Sequence, residues 1–491
     1  MAPNSILAAT AAVAFLGFLW LYRINSAMKS VPREALERSP RRWTLQQRRD
    51  TYDRVKKTPI DFTKHLPPRQ DRRYIIVGGS GLVGGDIVLQ LLQRGQPPAS
   101  IRVVDYQPIF RKDMLQHTKG VDFVKTDITS SASVEAAFAK RWPASVAKHP
   151  LTVFHTAAVI RAGERNKVHY DRCQRVNVGG TANVLNAART AWADIFISTS
   201  SASVAVTPIT FWVWPWETSP RNYLQILDES DFDRPLRPHG QYFGNYGLSK
   251  AEAERLVCGA NRVGFRTGCI RPGNGIYGQS TDPVVGHSLQ QGNNVSWTPH
   301  VIQNFVASRN VALAHLQLEA ALAGKEMPKC AGRPFVVTDP NPPPSFKELY
   351  DTLHELSVTP TTTSFPPPVL LLIVAHMIEG WCLMLHHLPI LTKLFGLTEP
   401  GLPVSNLQPG VFTVSAHTIA NDSAARKSVE DGGFGYTAVC TSLEGICEQI
   451  ADWNREHEAE KGNGSLTTSG ESKTLTEKIV KAGLAPEPVG A

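Results

Sequence analysis

Short apolar runs recur through the middle of the chain, and helical patterns separate most of them. One helical pattern covers Leu82–Arg94 and ends at Gly95, and another covers Gly179–Ala193. Strands that alternate with helices are typical of an α/β fold with a parallel sheet. The sequence therefore predicts such a sheet from Tyr74 onward. The predicted strands are Tyr74–Val77, Ile101–Val104, Val121–Val124, Leu151–Phe154, Ile195–Ser198 and Phe265–Ile270.

An uncharged stretch, Ser5–Tyr22, lies near the start of the sequence. Its 18 residues are at the lower limit for a bilayer span. It ends with Trp20 and Tyr22, whose ring types favour the membrane interface. We therefore expect residues 1–22 to be a single-pass membrane anchor, and the alternative is a helix packed on the protein. The basic residues that follow place the rest of the chain in the cytosol by the positive-inside rule.

A second apolar stretch, Val369–Leu388, contains several ionisable side chains. Ionisable groups make a full membrane span costly. We expect a helix that lies on the membrane surface, and the alternatives are a span and a buried core helix. The ionisable side chains are His376, Glu379, His386 and His387.

The formal net charge of +8 is concentrated in one segment. Residues 23–73 hold 15 Lys/Arg and 6 Asp/Glu, so the rest of the chain is close to neutral. This distribution argues against a nucleic-acid-binding fold. The seven cysteines include no C-x-x-C, and no His/Asp/Glu cluster has metal-ligand spacing. We therefore expect neither a disulfide framework nor a metal site.

A glycine-rich turn follows the first predicted strand and opens the first predicted helix, where residues 78–84 read GGSGLVG. Gly78 allows a tight turn, and Gly81 lets the backbone approach a pyrophosphate. Gly84 permits close packing of the helix on the strand. The N-terminus of the helix favours the negative charge of the ligand. The spacing therefore predicts a dinucleotide site.

Asp105 ends the second predicted strand, 21 residues after Gly84. A carboxylate there can accept hydrogen bonds from the adenosine ribose and repels a 2′-phosphate. This position favours NAD over NADP as the cofactor. Arg111 and Lys112 lie close behind the acid, and they keep NADP open as the less favoured alternative.

Tyr246 and Lys250 form a Y-x-x-x-K pair, four residues apart and on one helix face. A nearby ammonium favours the phenolate, so we expect Lys250 to lower the pKa of Tyr246. The tyrosine could then exchange a proton with a carbinol or carbonyl oxygen. Ser201 follows the strand that ends near Ser198, at the edge where active sites of parallel sheets lie. We expect Ser201 to orient the substrate oxygen, with Ser200 as its neighbour.

These motifs together resemble the extended short-chain dehydrogenase/reductases. Within them the sequence is most similar to the 3β-hydroxysteroid dehydrogenase/isomerase group, and in that group to the decarboxylating sterol-4α-carboxylate 3-dehydrogenases. The resemblance covers about Tyr74–Trp453. Further segments that carry it are Thr126–Ile128, Val153–Ala158, Asn177–Thr181, Ser198–Val204, Ile270–Gly278 and Gln303–Ala312.

The resemblance implies further roles. Asp127 and Ile128 would contact the adenine, and Ala157 and Ala158 would line the cofactor after the fourth strand. Asn177 would act with the catalytic residues by supporting the active-site helix and its proton relay. The stretch Val369–Leu388 matches a membrane-associating region of the group. The expected cofactor-binding residues are Gly78, Gly79, Ser80, Gly81, Leu82, Val83, Gly84, Asp105, Asp127, Ile128, Thr156, Ala157, Ala158, Ser200, Tyr246, Lys250 and Pro272.

The chain is expected to contain five parts. Residues 1–22 are the anchor and residues 23–73 a basic linker. Residues 74–280 are an extended Rossmann-type domain that carries the cofactor and the catalytic residues. Residues 281–455 are a smaller substrate-binding part, with the membrane-associating helix at about 369–388. Residues 456–491 are polar and rich in Gly, Ser and Thr, which is typical of a disordered tail.

The expected function is NAD-dependent oxidation of the 3β-hydroxyl of a sterol or triterpenoid. Loss of CO₂ would follow where the substrate carries a 4-carboxylate. The alternatives are a 3β-hydroxysteroid dehydrogenase with Δ5–Δ4 isomerase activity, an NADPH-dependent reductase of terpenoid ketones, and a non-catalytic NAD(P)-binding regulator. Membrane lipid is an expected partner, and lipid substrates favour the endoplasmic reticulum. Dimers are common in the superfamily, so a homodimer is an open expectation.

An aromatic segment, Phe211–Trp216, departs from the pattern of the family. It lies within the 45 residues that separate Ser201 from Tyr246. We hypothesise that it lines an apolar substrate pocket or touches the membrane, and the alternative is a packed insertion. The region after Ala424 also differs from the family pattern, which leaves the exact substrate open.

Overall fold

A computed structural model describes residues 3–324, 326–340 and 342–462. Its main sheet has seven strands, all parallel, in the order β11-β7-β5-β4-β1-β2-β3 by the numbering that follows. The strands are β1 (Arg73–Val77), β2 (Ile101–Asp105), β3 (Asp122–Lys125), β4 (Leu151–His155), β5 (Ala193–Thr199), β6 (Leu224–Leu227), β7 (Arg266–Pro272), β8 (Ile276–Tyr277), β9 (Asn293–Val295), β10 (Val306–Ala307), β11 (Pro334–Val337), β12 (Thr362–Ser364) and β13 (His417–Ala420).

Helices cover both faces of the sheet and also form the smaller part of the molecule. The α-helices are α1 (Pro3–Met28), α2 (Arg33–Arg38), α3 (Leu45–Lys57), α4 (Leu82–Gln93), α5 (Lys112–His117), α6 (Ser131–Ala139), α7 (Asp171–Cys173), α8 (Thr181–Thr190), α9 (Asn245–Gly259), α10 (Val285–Gln291), α11 (Ser308–Leu322), α12 (Phe346–Leu356), α13 (Pro368–His387), α14 (Pro389–Phe395), α15 (Pro409–Val414), α16 (Ser423–Arg426) and α17 (Ser442–Gly462).

The predicted α/β class with a parallel sheet is confirmed. Each of the six predicted strands is present, and its ends lie within two residues of the prediction. The seventh strand, β11, extends the edge beside β7 and had not been predicted. The helix predicted over Gly179–Ala193 begins earlier than expected. A π-helix, Gln174–Gly180, leads directly into α8.

The core lies on both faces of the sheet. In β1, Tyr74 and Ile76 join a cluster on one face, and Ile75 and Val77 join a cluster on the other. All four side chains are buried. A parallel strand that is covered on both faces reads as a continuous apolar run, which is why composition alone located these strands.

Residues 23–73 differ from the linker predicted for them, because they contain α2 and α3. The Arg54 guanidinium pairs with Glu444 of α17 at 2.8 Å. The Asn454 amide donates to the Tyr52 hydroxyl at 2.8 Å, and Val55 is buried. The segment is therefore packed against the C-terminal helix, and part of its positive charge is paired. Helix α17 itself continues past residue 456, and residues 463–491 of the predicted tail lie outside the described residues.

Within the described ranges, two segments are long and apolar enough to cross a membrane, namely Leu7–Arg38 and Pro368–His387. Helix α1 is longer than the predicted anchor. Its last turns are buried at Ile24, Ala27 and Met28, whereas its apolar side chains between Leu7 and Leu19 are exposed. The helix therefore has one end fixed on the protein and one apolar end available as an anchor.

Candidate active site

A large cavity lies at the carboxyl edge of the sheet, where the loops after the strands meet. Its volume is about 1380 Å³. Sites for one small molecule usually occupy about 300–1,000 Å³, so this cavity has room for two ligands side by side. We call the lining residues that follow β1 to β4 the polar branch, and those between β9 and α12, which include Phe305 and Leu349, the apolar branch.

The glycine turn between β1 and α4 forms the floor of the polar branch. Gly78 has φ +85°, and a Cβ there would lie 2.6 Å from the backbone nitrogen of Ala157. A Cβ on Gly84 would lie 2.2 Å from the Gly78 oxygen. Gly81 precedes the first residue of α4, so the N-terminus of this helix faces the cavity. Backbone N–H groups in this position bind the phosphates of a dinucleotide.

Gly79 and Ser80 belong to the glycine turn but are not among the described residues that line the cavity. The described lining of the cavity includes Gly78, Gly81 and Gly84 but neither Gly79 nor Ser80. The Ser80 hydroxyl donates to the Gln107 oxygen at 2.9 Å. A Cβ on Gly79 would meet the Ile76 oxygen and the Val103 side chain, both in the sheet. The cofactor-binding role expected for Gly79 and Ser80 stays a prediction.

Asp105 ends β2 beside this turn. Its carboxylate accepts a hydrogen bond from the backbone N–H of Ser80 at 3.0 Å and another from the N–H of Gln107 at 3.1 Å. Burial raises the pKa of Asp105, and these hydrogen bonds oppose the shift. The acid lines the cavity, so its remaining lone pairs are available to ribose hydroxyls.

Arg111 is not available to the cavity. Its guanidinium is buried, pairs with Asp86 at 2.5 Å and Asp113 at 2.7 Å, and donates to the oxygens of Gly81 and Leu82 at 3.1 and 2.8 Å. Every arm of the side chain is therefore engaged within the protein. Arg111 holds the first turn of α4 in place.

The loop after β3 contributes to the polar branch. Asp127 and Ile128 both line the cavity, as the resemblance implies. The Asp127 carboxylate accepts hydrogen bonds from the N–H and the hydroxyl of Thr129 at 2.9 and 2.8 Å. Ile128 packs against Gly180, where a Cβ would lie 2.7 Å from the isoleucine Cδ1. Thr156, Ala157, Ala158 and Pro272 line the same cavity.

Tyr246 and Lys250 lie one turn apart at the start of α9, and both line the cavity. The Lys250 ammonium donates to the Thr199 oxygen at 2.6 Å. Burial lowers the pKa of Lys250 to about 8. Burial also raises the pKa of Tyr246 to about 12, and the hydrogen bond with Ser201 opposes that shift. The expected lowering of the Tyr246 pKa by Lys250 is therefore not found, because desolvation of the phenolate is the largest influence on this pKa.

Ser200 and Ser201 follow β5 and complete the centre of the cavity. The Ser201 hydroxyl lies 2.7 Å from the Ser203 hydroxyl and accepts from the Ser203 N–H at 3.2 Å. The Ser200 hydroxyl is buried and, among the described residues, has no hydrogen-bond partner. A buried hydroxyl without a partner is costly, so this atom fits a ligand group supplied by a cofactor or substrate.

Asn177 lies in the π-helix and is absent from the described lining of the cavity. Its amide accepts from the Val159 N–H at 2.9 Å and donates to the Val159 oxygen at 3.0 Å. It also donates to the Ser249 hydroxyl at 2.9 Å. Asn177 thus ties the loop after β4 to the helix of Tyr246, and in this structure it is a positioning residue.

The residues that line the apolar branch were not predicted from the sequence. It combines Phe305, Leu349 and Tyr350 with Asn294 and Val295. These residues come from separate elements within residues 281–455, and the assignment of that part to substrate binding stays a prediction. No local motif marks them. Among the described residues there is also no group of three or more His, Cys, Asp or Glu side chains that could hold a metal ion.

The fold and the cavity together define the class of protein. A dinucleotide turn after the first strand and a Tyr–Lys pair beside the fifth are the two halves of a hydride-transfer site. This arrangement is that of the short-chain dehydrogenase/reductases. Comparison with known proteins narrows the class. The model of the 3-beta hydroxysteroid dehydrogenase/isomerase family matches residues 75–366, and the chain belongs to this family.

Relatives in several organisms share this sequence pattern at low identity. A mouse protein, short-chain dehydrogenase/reductase family 42E member 1, is 26% identical over 61% of this chain and 71% of its own. The 3beta-hydroxysteroid-dehydrogenase/decarboxylase isoform 1 of Arabidopsis thaliana is 25% identical over 77% of this chain and 79% of its own. The decarboxylating sterol-4-alpha-carboxylate 3-dehydrogenase of Schizosaccharomyces pombe is 26% identical over 65% of this chain and 85% of its own.

Solved structures support the fold. MoeE5, bound to UDP-glucuronic acid and NAD, superposes with a TM-score of 0.51 over 78% of this chain and 99% of its own, at 17% identity. A UDP-glucose 4-epimerase from Thermotoga maritima superposes with a TM-score of 0.51 over 79% of this chain and 99% of its own, at 15% identity. Family membership makes the chain an NAD(P)-dependent oxidoreductase that acts on a CH–OH group.

Proposed function

We propose that this protein oxidises the 3β-hydroxyl of a sterol or triterpenoid with NAD⁺. The observation that carries the proposal is the joined cavity, in which the glycine turn, Tyr246 and an apolar branch share one space. The apolar branch suits a rigid hydrocarbon skeleton, because burial of apolar surface there is favourable.

The choice of NAD rests on the surroundings of Asp105. The two basic residues that kept NADP open are both engaged elsewhere. Arg111 pairs with Asp86 and Asp113 and donates to the first turn of α4. Lys112 is exposed and lies 3.6 Å from Glu456. Asp105 ends β2 and lines the cavity, and its carboxylate would repel a 2′-phosphate on the ribose.

The residues of the centre have separate roles in the oxidation. A nicotinamide held beside Tyr246 and Lys250 would supply the acceptor for the hydride from C3. Tyr246 acts as general base and takes the hydroxyl proton. Ser201 holds the carbinol oxygen by a hydrogen bond. Lys250, fixed by Thr199, supplies a positive charge that favours the phenolate and binds the nicotinamide ribose.

A second step is proposed for substrates that carry a 4-carboxylate. Oxidation at C3 converts such a substrate to a β-keto acid. The bond between C4 and the carboxyl carbon then breaks, CO₂ leaves, and the electron pair remains as an enolate that is protonated at C4. No metal is needed for this step. Two relatives carry decarboxylase or decarboxylating in their names, which supports the proposal.

The proposed location is a membrane, with the catalytic part on the cytosolic side and the endoplasmic reticulum as the compartment. The exposed apolar part of α1 is the anchor. The basic segment after it faces the cytosol.

The test is turnover by the purified full chain in detergent with NAD⁺ and a panel of 3β-hydroxysterols, some with a 4α-carboxylate. NADH formation with loss of CO₂ from the carboxylated sterols alone supports the decarboxylating reaction. NADH with all carbon retained and a shifted double bond supports the dehydrogenase/isomerase instead. Turnover only of terpenoid ketones with NADPH supports the reductase, and binding of NAD(H) without any turnover supports a regulator.

A further inference from the structure

Exposed apolar side chains gather on one side of the molecule, which we call the docking face. It is formed by the loop 211–217, here called the tryptophan loop, by the outer side of α13 and by α14. The Trp212 ring lies 5.7 Å from the His376 ring of α13, so the loop and this helix are neighbours. Together they expose a surface rich in large apolar and aromatic groups, whereas monomeric soluble proteins rarely keep such patches without a partner. The exposed residues are Trp212, Trp214, Trp216, Leu370, Val374, Met377, Trp381, Ile390, Leu394 and Phe395.

The tryptophan loop is attached to the end of the apolar helix α1. The Trp20 ring nitrogen donates to the Val213 oxygen at 2.9 Å, and the Trp20 and Trp212 rings are 5.8 Å apart. The Arg23 guanidinium donates to the Pro215 oxygen at 3.1 Å. The uncharged part of α1 therefore leaves the protein from the edge of the docking face. If α1 enters a bilayer, this face lies at the bilayer surface.

Helix α13 has two different sides. Leu372, Ala375 and Cys382 are buried on the inner side. On the same helix the Glu379 carboxylate forms a two-fold pair with the Arg165 guanidinium, both contacts at 2.8 Å. A transmembrane position would separate this pair and expose the inner side. The helix therefore lies along the protein surface, and only its outer side is free for contact.

The cavity opens beside this face. Ile160 and Val295 line the cavity, yet they are 64% and 63% exposed, so they mark its mouth. Val295 belongs to β9, which pairs with β12, and β12 leads directly into α13. Ile160 lies in the loop after β4, which also carries Arg165, the partner of Glu379 in α13. The mouth of an apolar cavity and the apolar docking face are thus neighbours on the surface.

We propose that the docking face lies in the interfacial layer of a lipid bilayer, with the tryptophan loop inserted among the headgroups. Tryptophan is enriched at this level of a membrane, and an amphipathic surface with an apolar outer side binds there. The continuity with α1 favours lipid over a second copy of the chain. The cavity then opens at the bilayer, where an apolar substrate is dissolved; this last consequence rests on the proposed function.

A depth measurement tests the proposal. All seven cysteines of the chain are buried, so a single introduced cysteine can be labelled selectively. An environment-sensitive fluorophore is placed on Trp216→Cys in the full chain, reconstituted in phosphatidylcholine/phosphatidylserine vesicles. The matched control is Trp192→Cys, an exposed tryptophan just before β5 and thus at the opposite edge of the sheet. Nitroxide-labelled lipids serve as the quencher.

We expect loss of fluorescence and a blue shift at position 216, and neither effect at position 192. Equal quenching at both positions, or none at 216, would overturn the proposal. Shielding of position 216 from both lipid and water, with energy transfer between labelled copies, would assign the face to a dimer and also overturn it. The measurement needs no substrate, so its outcome is independent of whether sterol oxidation is observed.

Discussion

The Lys250 ammonium donates a hydrogen bond to the backbone oxygen of Thr199 at 2.6 Å. This contact ties the first turns of α9 to the end of β5, where Ser200 and Ser201 follow. Tyr246, Lys250 and Ser201 thus share one rigid support made of a helix and a strand. Rigid elements hold catalytic groups more precisely than loops do.

Replacement of Tyr246 tests the base. Tyr246→Phe removes the only hydroxyl proposed to take the substrate proton, so kcat should fall by roughly 10²–10⁴-fold. Affinity for NADH, followed by fluorescence titration, should remain. The control is Tyr242→Phe, because Tyr242 is buried near the same helix but does not line the cavity. Full activity in the Tyr246 variant would contradict the assignment.

The buried lysine should make stability depend on pH. Its pKa is about 8 in the folded protein and near 10.5 when exposed, so the unfolded chain binds more protons between these values. The free energy of unfolding of the wild type should therefore rise from pH 8 to 10 relative to that of Lys250→Met. The full difference is about 3 kcal/mol, as an order of magnitude. Urea unfolding at several pH values measures it, and parallel curves for the two proteins would refute the prediction.

The glycine turn should not accept a side chain at Gly84. A Cβ there would lie 2.2 Å from a backbone oxygen that cannot move freely. We expect Gly84→Ala to lose about 1–3 kcal/mol of stability and most of its affinity for NADH. Gly259→Ala, at a helical glycine with open space around it, is the matched control and should be neutral or slightly stabilising. Thermal unfolding and NADH titration distinguish the two.

Asp105 and Arg111 should affect cofactor use differently. Asp105→Asn keeps an acceptor for the Ser80 N–H but removes a like-charge repulsion of about 1–4 kcal/mol, so the ratio of kcat/KM for NAD⁺ over NADP⁺ should fall by roughly tenfold or more. Arg111→Met should instead weaken both cofactors alike and destabilise the fold, because it leaves Asp86 buried and unpaired. A selective loss of NADP⁺ use in the Arg111 variant would show that this side chain does reach the cofactor.

Local patterns explain what could be predicted from the sequence. The sheet, the glycine turn and the Tyr–Lys pair each depend on residues that are close along the chain. The fold class and the family are confirmed by the structure and the comparisons. The roles of the individual site residues stay predictions, although most of the proposed set meets in one cavity.

Long-range packing explains what could not be predicted. The basic segment was interpreted as a linker because its partners, such as Glu444 for Arg54, lie almost 400 positions away. Burial raises the pKa of Tyr246. The spacing of Tyr246 and Lys250 on one helix face does not reveal how deeply the tyrosine is buried. The ion pair between Arg111 and Asp86 likewise depends on how α4 packs. The sequence alone therefore could not show whether Arg111 is free to bind the 2′-phosphate of NADP.

The most direct test of the account follows the hydride itself. The full chain is incubated with NAD⁺ and a 3β-hydroxysterol that carries deuterium at C3, with Tyr246→Phe in parallel, and the reduced cofactor is analysed by mass spectrometry. The account predicts one deuterium per NADH formed with the wild type and almost none with the variant. Reduced cofactor without deuterium, or equal transfer by both proteins, would contradict the claim that this site oxidises a sterol alcohol through Tyr246.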